Sequence, residues 1–157
     1  DIAQFRKVKR EADRYGMPII VWSYPRGKAI EEKGGKESLY AVDYAARVGC
    51  ELGADIIKIN FPVIDNSKRD LYPEPYNQLD LSPGEAIKKV VKSAGNTMVL
   101  VSGGSKLGDE DLLNKVKLSM EAGATGVIFG RNIWQRSRED SWKINEKIRD
   151  IMKEYPR

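Results

Sequence analysis

Four short apolar runs, each followed by an amphipathic stretch, restrict this chain more than any other feature. They are "MPIIVWS" from Met17, "ADIIKIN" from Ala54, "TMVLVS" from Thr97 and "TGVIFG" from Thr125. Runs this short and this apolar read as buried strands. Around them the spacing turns helical, at about 1–15, 38–52, 82–94, 109–122 and 139–154. The segments "YG", "LGA", "AGN" and "AGA" carry each helix into the next strand, as a glycine just past a helix C-terminus does. The chain therefore reads as one α/β unit, α(βα)4, over residues 1–157. Strands alternating with helices pair in parallel, because a right-handed crossover uses a helix to return the chain. Two architectures satisfy this: a small open doubly wound sheet, or half of an eight-stranded barrel.

Composition narrows the function classes. With 157 residues, 41% of them hydrophobic, the chain can bury a core. No apolar run approaches the roughly 20 residues of a membrane span, and the N-terminus lacks the apolar segment of a signal peptide, so a soluble protein with no membrane partner is expected. Cys50 has no intrachain partner, which suits a reducing compartment, the cytoplasm. The absence of histidine excludes serine–histidine hydrolysis and, with a single cysteine, leaves the usual zinc and copper sites out of reach. Acid–base or nucleophilic work falls to Lys, Tyr, Asp, Glu, Cys or Ser. Net charge is +4, with 27 basic and 23 acidic residues interspersed, which argues against a nucleic-acid surface.

In a βα array the loops leaving the strand C-termini form the active face. Here those loops are the unusual segments: "YPRGKAIEEKGGKE", "FPVIDNSKRDLYPEPYNQLDL", "GGSKLGDE" and "RNIWQRSRED". The second is long enough, with three prolines, to read as a lid or binding segment. Within "GADIIKINFP", Lys58 puts an amine among isoleucines. A lysine becomes a nucleophile toward a carbonyl when neutral, and burial that lowers its pKa to about 7–8 achieves this at a cost of roughly 3–5 kcal/mol. The same lysine could instead snorkel from the strand end or pair with a carboxylate. Trp22 and Tyr24 share a parity at the end of the first strand, so both side chains point to one face. They are core filler unless Lys58 lies on the neighbouring strand, where the tyrosine could move a proton and the indole could pack on a substrate carbon chain. At the ends of the last two strands, Ser102, Gly103, Gly104, Gly130 and Arg131 have the character of a phosphate pocket: backbone N–H groups, a hydroxyl and a guanidinium fork. Arg26, Lys28, Lys36, Lys68 and Arg69 would make the first two loops positive, which suits a second phosphate or simply a solvated rim.

Taken in order, "VWSYPRG", "GADIIKINFP", "VLVSGG" and "FGRNIWQR" resemble the class I, Schiff-base fructose-bisphosphate aldolases of archaeal and bacterial type, a (β/α)8-barrel group related to deoxyribose-phosphate aldolase. The resemblance runs over the whole chain and implies the second half of such a TIM barrel, strands five to eight. It implies reversible cleavage of fructose 1,6-bisphosphate to dihydroxyacetone phosphate and glyceraldehyde 3-phosphate, a lyase of glycolysis and gluconeogenesis. Lys58 would form the imine, Tyr24 would move the proton and Trp22 would line the substrate site. Ser102, Gly103, Gly104, Gly130 and Arg131 would hold a phosphate. No cofactor and no metal are implied, since the protonated imine is the electron sink; the partner is a small sugar phosphate and the assembly a homo-oligomer. A related sugar-phosphate aldolase or transaldolase, such as the aminodideoxyheptulosonate synthase, and a noncatalytic phosphate-binding half-barrel are the alternatives. Family members are about twice as long, and their first half carries a catalytic aspartate. The chain is thus expected to be a fragment of a longer protein, ahead of a half-barrel that dimerises to close or a defective remnant. A lone half-barrel would expose two sheet edges and an apolar face.

Overall fold

A computed structural model describes residues 2–156, so the expected ends at Asp1 and Arg157 lie outside the described residues. Four strands, β1 (Ile20–Trp22), β2 (Ile56–Asn60), β3 (Met98–Ser102) and β4 (Gly126–Ile128), form one sheet in the order β1-β2-β3-β4 with every pair parallel. Helix α1 (Ile2–Arg14) precedes β1; α2 (Lys28–Glu31) and α3 (Leu39–Glu51) follow it. Helix α4 (Pro83–Ser93) connects β2 to β3, α5 (Asp109–Glu121) connects β3 to β4, and α6 (Arg131–Trp134) and α7 (Arg138–Lys153) complete the chain. The strand order decides between the two expected architectures. A doubly wound sheet reverses its order at a switch point, whereas each barrel strand lies beside its predecessor. This sheet is half of a barrel.

Local chemistry explains where the helices begin. Ser82 opens α4 with a capping box: its hydroxyl accepts from the Glu85 amide at 3.3 Å, the Glu85 carboxylate accepts from the Ser82 amide at 2.7 Å, and Pro83 takes the first helical position. Ser38 caps α3 through the Ala41 amide at 3.3 Å, and Ser137 caps α7 through the Asp140 amide at 3.1 Å. The four-residue α2 and α6 escaped the sequence reading because so short a turn has no periodicity to detect.

Alternation along the strands gives the sheet two unlike faces. Ile57, Ile59, Val99 and Val101 point one way and are buried under Leu39, Val42 and Ala46 of α3 and Ala86, Ile87 and Val90 of α4. A second cluster joins Leu112, Val116 and Met120 of α5 to Ile144 and Ile148 of α7 beside Val127. The other face, a barrel's interior, lies open. On it Ile20, Trp22 and Met98 are 49%, 67% and 43% exposed, as expected for a half-barrel taken alone.

The long segment after β2 corrects one expectation. Residues 61–81 read as a lid or binding segment; they do not line the cleft at the strand ends, as a lid would, but form two 3-10 turns, Asn66–Leu71 and Tyr76–Gln78, packed as a strap on α3 and α4. Arg69 donates to the carbonyls of Asn77 and Leu79, both at 2.8 Å, and closes the segment on itself. The Tyr76 hydroxyl donates to the buried Asp43 carboxylate at 2.6 Å, and Lys89 approaches the same oxygen at 2.9 Å. Burying Phe61 and Tyr72 holds the strap down.

Candidate active site

Lys58 stands in the middle of β2, and the pleat separates it from its apolar neighbours. Ile57 and Ile59 face the helices with 0% exposure, while Lys58 shares the open face with Ile56 and Asn60. The amine is therefore not set among isoleucines, and it is half-buried rather than enclosed. Strand register puts Trp22 directly opposite it on β1. Pairing ends where the Ser23 amide donates to the Lys58 carbonyl at 2.9 Å, and the Tyr24 amide then turns back to the Trp22 carbonyl at 3.0 Å. Both rings consequently flank the amine: Lys58 Nζ lies 4.6 Å from the Trp22 ring centroid and 5.5 Å from that of Tyr24. Cation–π contacts of this kind contribute about 0.5–2 kcal/mol each and keep the Lys58 side chain between the two rings.

A cleft of about 280 Å³ opens at the C-terminal ends of the strands, on the open face. Tyr24 and Lys58 line one end of it, and Ser102, Gly103 and Gly104 with Gly130 and Arg131 line the other. Seven of the eight residues singled out in the sequence thus meet in one place. Trp22, the eighth, touches Lys58 without lining the cleft. Ser102 pairs in register with Asn60, two residues beyond Lys58 on the neighbouring strand, so the glycine turn begins about 7 Å further along the strand direction than the amine. A three-carbon phosphate ester together with the lysine's flexible stem spans such a gap.

The end of the cleft formed by the glycine turns presents backbone donors. Among the described residues, the amides of Gly103, Gly104 and Gly130 donate to no other backbone group. Gly104 has φ +69, the left-handed region that glycine enters without strain. Gly103 is required by space: a β-carbon there would sit 2.6 Å from Asn132 Nδ2 and 2.7 Å from Phe129 Cδ1. Arg131 Nη2 donates to the Gly104 carbonyl at 3.0 Å, which uses one of its five N–H groups. The Ser102 hydroxyl gives its proton to Asn60 Oδ1 at 3.1 Å, so in this arrangement Ser102 offers an anion no donor of its own.

Of the five loop cations, Arg26 and Lys36 line the cleft. The other three do not. Lys28 pairs with Glu32, Lys68 pairs with Asp65, and Arg69 is spent on the carbonyls of the strap. Glu37 is the one carboxylate on the lining beside Lys58, Arg26, Lys36 and Arg131, so the cleft is net cationic. Asn60, Glu37, Ile128 and Trp134 also line it and were missed. Asn60 and Ile128 were accessible by parity, since each shares the face that carries Lys58 or Ser102; Glu37 and Trp134 come from loop geometry that leaves no sequence signal.

Strand order and a cationic, lysine-bearing cleft at the strand C-termini define the chain as half of an aldolase-type (β/α)8 barrel. A family model described as "DeoC/LacD family aldolase" matches residues 1–136, and the chain belongs to that family. Among similar proteins, a class 1 fructose-bisphosphate aldolase of Thermoproteus tenax is 37% identical over 150 residues, covering 95% of this chain and 48% of the relative. One of Halobacterium salinarum is 36% identical over 133 residues, covering 85% of this chain and 42% of the relative. A solved archaeal fructose-1,6-bisphosphate aldolase, with its catalytic lysine covalently bound to the carbinolamine intermediate of the substrate, superposes with a TM-score of 0.74 at 33% identity over 96% of this chain and 51% of that one. The chain spans about half the length of the curated relatives it matches.

Proposed function

We propose that this chain carries the imine-forming part of a class I fructose-bisphosphate aldolase, which reversibly cleaves fructose 1,6-bisphosphate to dihydroxyacetone phosphate and glyceraldehyde 3-phosphate. The observation that carries the reading is the grouping of Lys58, flanked by Tyr24 and Trp22, with a turn of unpaired amides in the same cationic cleft. The neutral Lys58 amine adds to the C2 keto carbon to give a carbinolamine, which loses water to a protonated imine. That cation accepts the electron pair of the C3–C4 bond as the C4 hydroxyl passes its proton to water in the open cleft, and glyceraldehyde 3-phosphate leaves. The enamine takes a proton at C3, which we assign to Tyr24, and water then releases dihydroxyacetone phosphate and the amine. Trp22 packs on the carbon chain. The amides of Gly103, Gly104 and Gly130 with Arg131 hold the phosphate near C2, and Ser102 acts through Asn60 or after rotating its proton. Arg26 and Lys36 supply positive charge for the phosphate at the far end of the hexose.

The same reading makes the protein a cytoplasmic enzyme of glycolysis or gluconeogenesis that works as a homo-oligomer. Among the described residues no helix is long and apolar enough to cross a membrane. The test is cleavage of fructose 1,6-bisphosphate by the purified chain, read by coupling glyceraldehyde 3-phosphate to a dehydrogenase. Activity that Lys58→Met abolishes supports the reading; activity that survives Lys58→Met overturns it.

A further inference from the structure

The five residues 103–107 form the turn that presents the anion-facing amides. Among the described residues this turn makes no backbone–backbone hydrogen bond. Leu107 packs against the α5–α7 cluster, and the polar holds come mainly from side chains of the segment after β4. Asn132, in α6 and 1% exposed, grips it twice: Asn132 Oδ1 accepts from the Leu107 amide at 2.8 Å, and Asn132 Nδ2 donates to the Ser105 carbonyl at 3.1 Å. Gly103 rests so close to that carboxamide that a β-carbon would come within 2.6 Å of it. Asn132 is itself fixed from behind, where Arg136 Nε donates to its backbone carbonyl at 2.6 Å while Arg136 Nη1 pairs with Asp109 at the start of α5. The remaining contacts, Arg131 to the Gly104 carbonyl at 3.0 Å and Lys106 to the Gln135 carbonyl at 3.3 Å, belong to exposed side chains.

We infer that Asn132 is a positioning residue for the phosphate: it locks the turn after β3 onto α6, so that the Gly103 and Gly104 amides are aimed before the anion arrives. The inference rests on the sugar-phosphate reading of the cleft. Asn132 does not line the cleft and acts only through the turn. A five-residue turn with no internal hydrogen bonds would otherwise have to be ordered at the expense of binding energy, and a fixed set of donors avoids that loss. A buried carboxamide suits the task, because a single group satisfies one donor and one acceptor of the turn at the same time.

The test separates phosphate affinity from general integrity. Asn132→Leu keeps the volume and removes both bonds. Titration of wild type and variant with inorganic phosphate, followed by borohydride trapping over a range of dihydroxyacetone phosphate and of unphosphorylated dihydroxyacetone, reads the effect. The expected result is an affinity for inorganic phosphate about 10- to 100-fold weaker, and half-saturation for dihydroxyacetone phosphate raised by a similar factor. Trapping of dihydroxyacetone should stay within about twofold, because that ketone has no phosphate for the turn to hold. Unchanged phosphate affinity, or equal losses for both ketones, overturns the inference. If the variant does not fold, amide exchange in the wild type decides: a protected Leu107 amide supports the lock, and exchange at the rate of an exposed loop overturns it. A wild type that traps dihydroxyacetone phosphate while Asn132→Leu behaves identically removes this inference alone. A wild type that binds no phosphate and traps neither ketone removes both the inference and the sugar-phosphate reading.

Discussion

Replacing Lys89 by Met strands a buried charge without touching the cleft. Asp43 lies on α3 with its side chain 4% exposed; its Oδ2 takes both the Tyr76 hydroxyl and Lys89, and its Oδ1 has no partner among the described residues. Breaking a fully buried ion pair costs about 3–5 kcal/mol, but the Lys89 side chain is 36% exposed, so water already screens the pair and about 2–3 kcal/mol is expected. For a chain of this size that lowers Tm by roughly 4–12 °C. Thermal unfolding followed by circular dichroism measures it. Adding Asp43→Asn to Lys89→Met should recover part of the loss, since the double variant no longer buries an unpaired charge. A Lys89→Met variant with wild-type Tm, or a double variant less stable than the single, would refute the reasoning. The alkaline limb follows from the same cluster. Burial, and then the hydrogen bond to Asp43, push the Tyr76 hydroxyl above its ordinary value. Its contribution is therefore complete below the unfolded value of about 10 and is lost as pH rises beyond it. Tyr76→Phe should flatten that part of the stability profile.

Tyr24→Phe should slow proton exchange at C3 of dihydroxyacetone phosphate by about 10²- to 10⁴-fold while borohydride still traps the Lys58 imine; proton exchange at the wild-type rate, followed by NMR in deuterated buffer, would reduce Tyr24 to packing. Ser82→Ala removes the hydroxyl that accepts from the Glu85 amide in the α4 capping box, while the backbone amide at 82 keeps its bond to the Glu85 carboxylate, and should cost about 0.5–2 kcal/mol in urea unfolding with no change in phosphate affinity. An unaltered unfolding midpoint would mean that the cap is idle.

Much of this fold is written in periodicity. The alternation in Ile57–Ile59 and Val99–Val101 sets the buried face, the serines at 38, 82 and 137 start their helices, and glycine turns mark where strands follow. The residues that meet in the cleft were legible because Lys58 and Ser102 sit on strands, where parity fixes the direction of a side chain, and the others lie in the turns just past strand ends. Lys58 shows the limit of that reading. An apolar run identified the strand, but only the pleat reveals that its isoleucines turn away from the amine. The strap at 61–81 misled for a different reason. Length and prolines announce an unusual loop, whereas its destination depends on Asp43, Lys89 and the α3–α4 surface, which are distant in sequence. The role of Asn132 had no local signal either, because its two partners lie about 25 residues upstream.

The most direct measurement on Lys58 is borohydride reduction in the presence of dihydroxyacetone phosphate, followed by peptide mass mapping of the folded chain. A reduced adduct confined to the peptide bearing Lys58, and absent from Lys58→Met, is the expected result. A folded chain that binds phosphate yet carries no adduct, or carries it on another lysine, would contradict the assignment of Lys58 as the nucleophile.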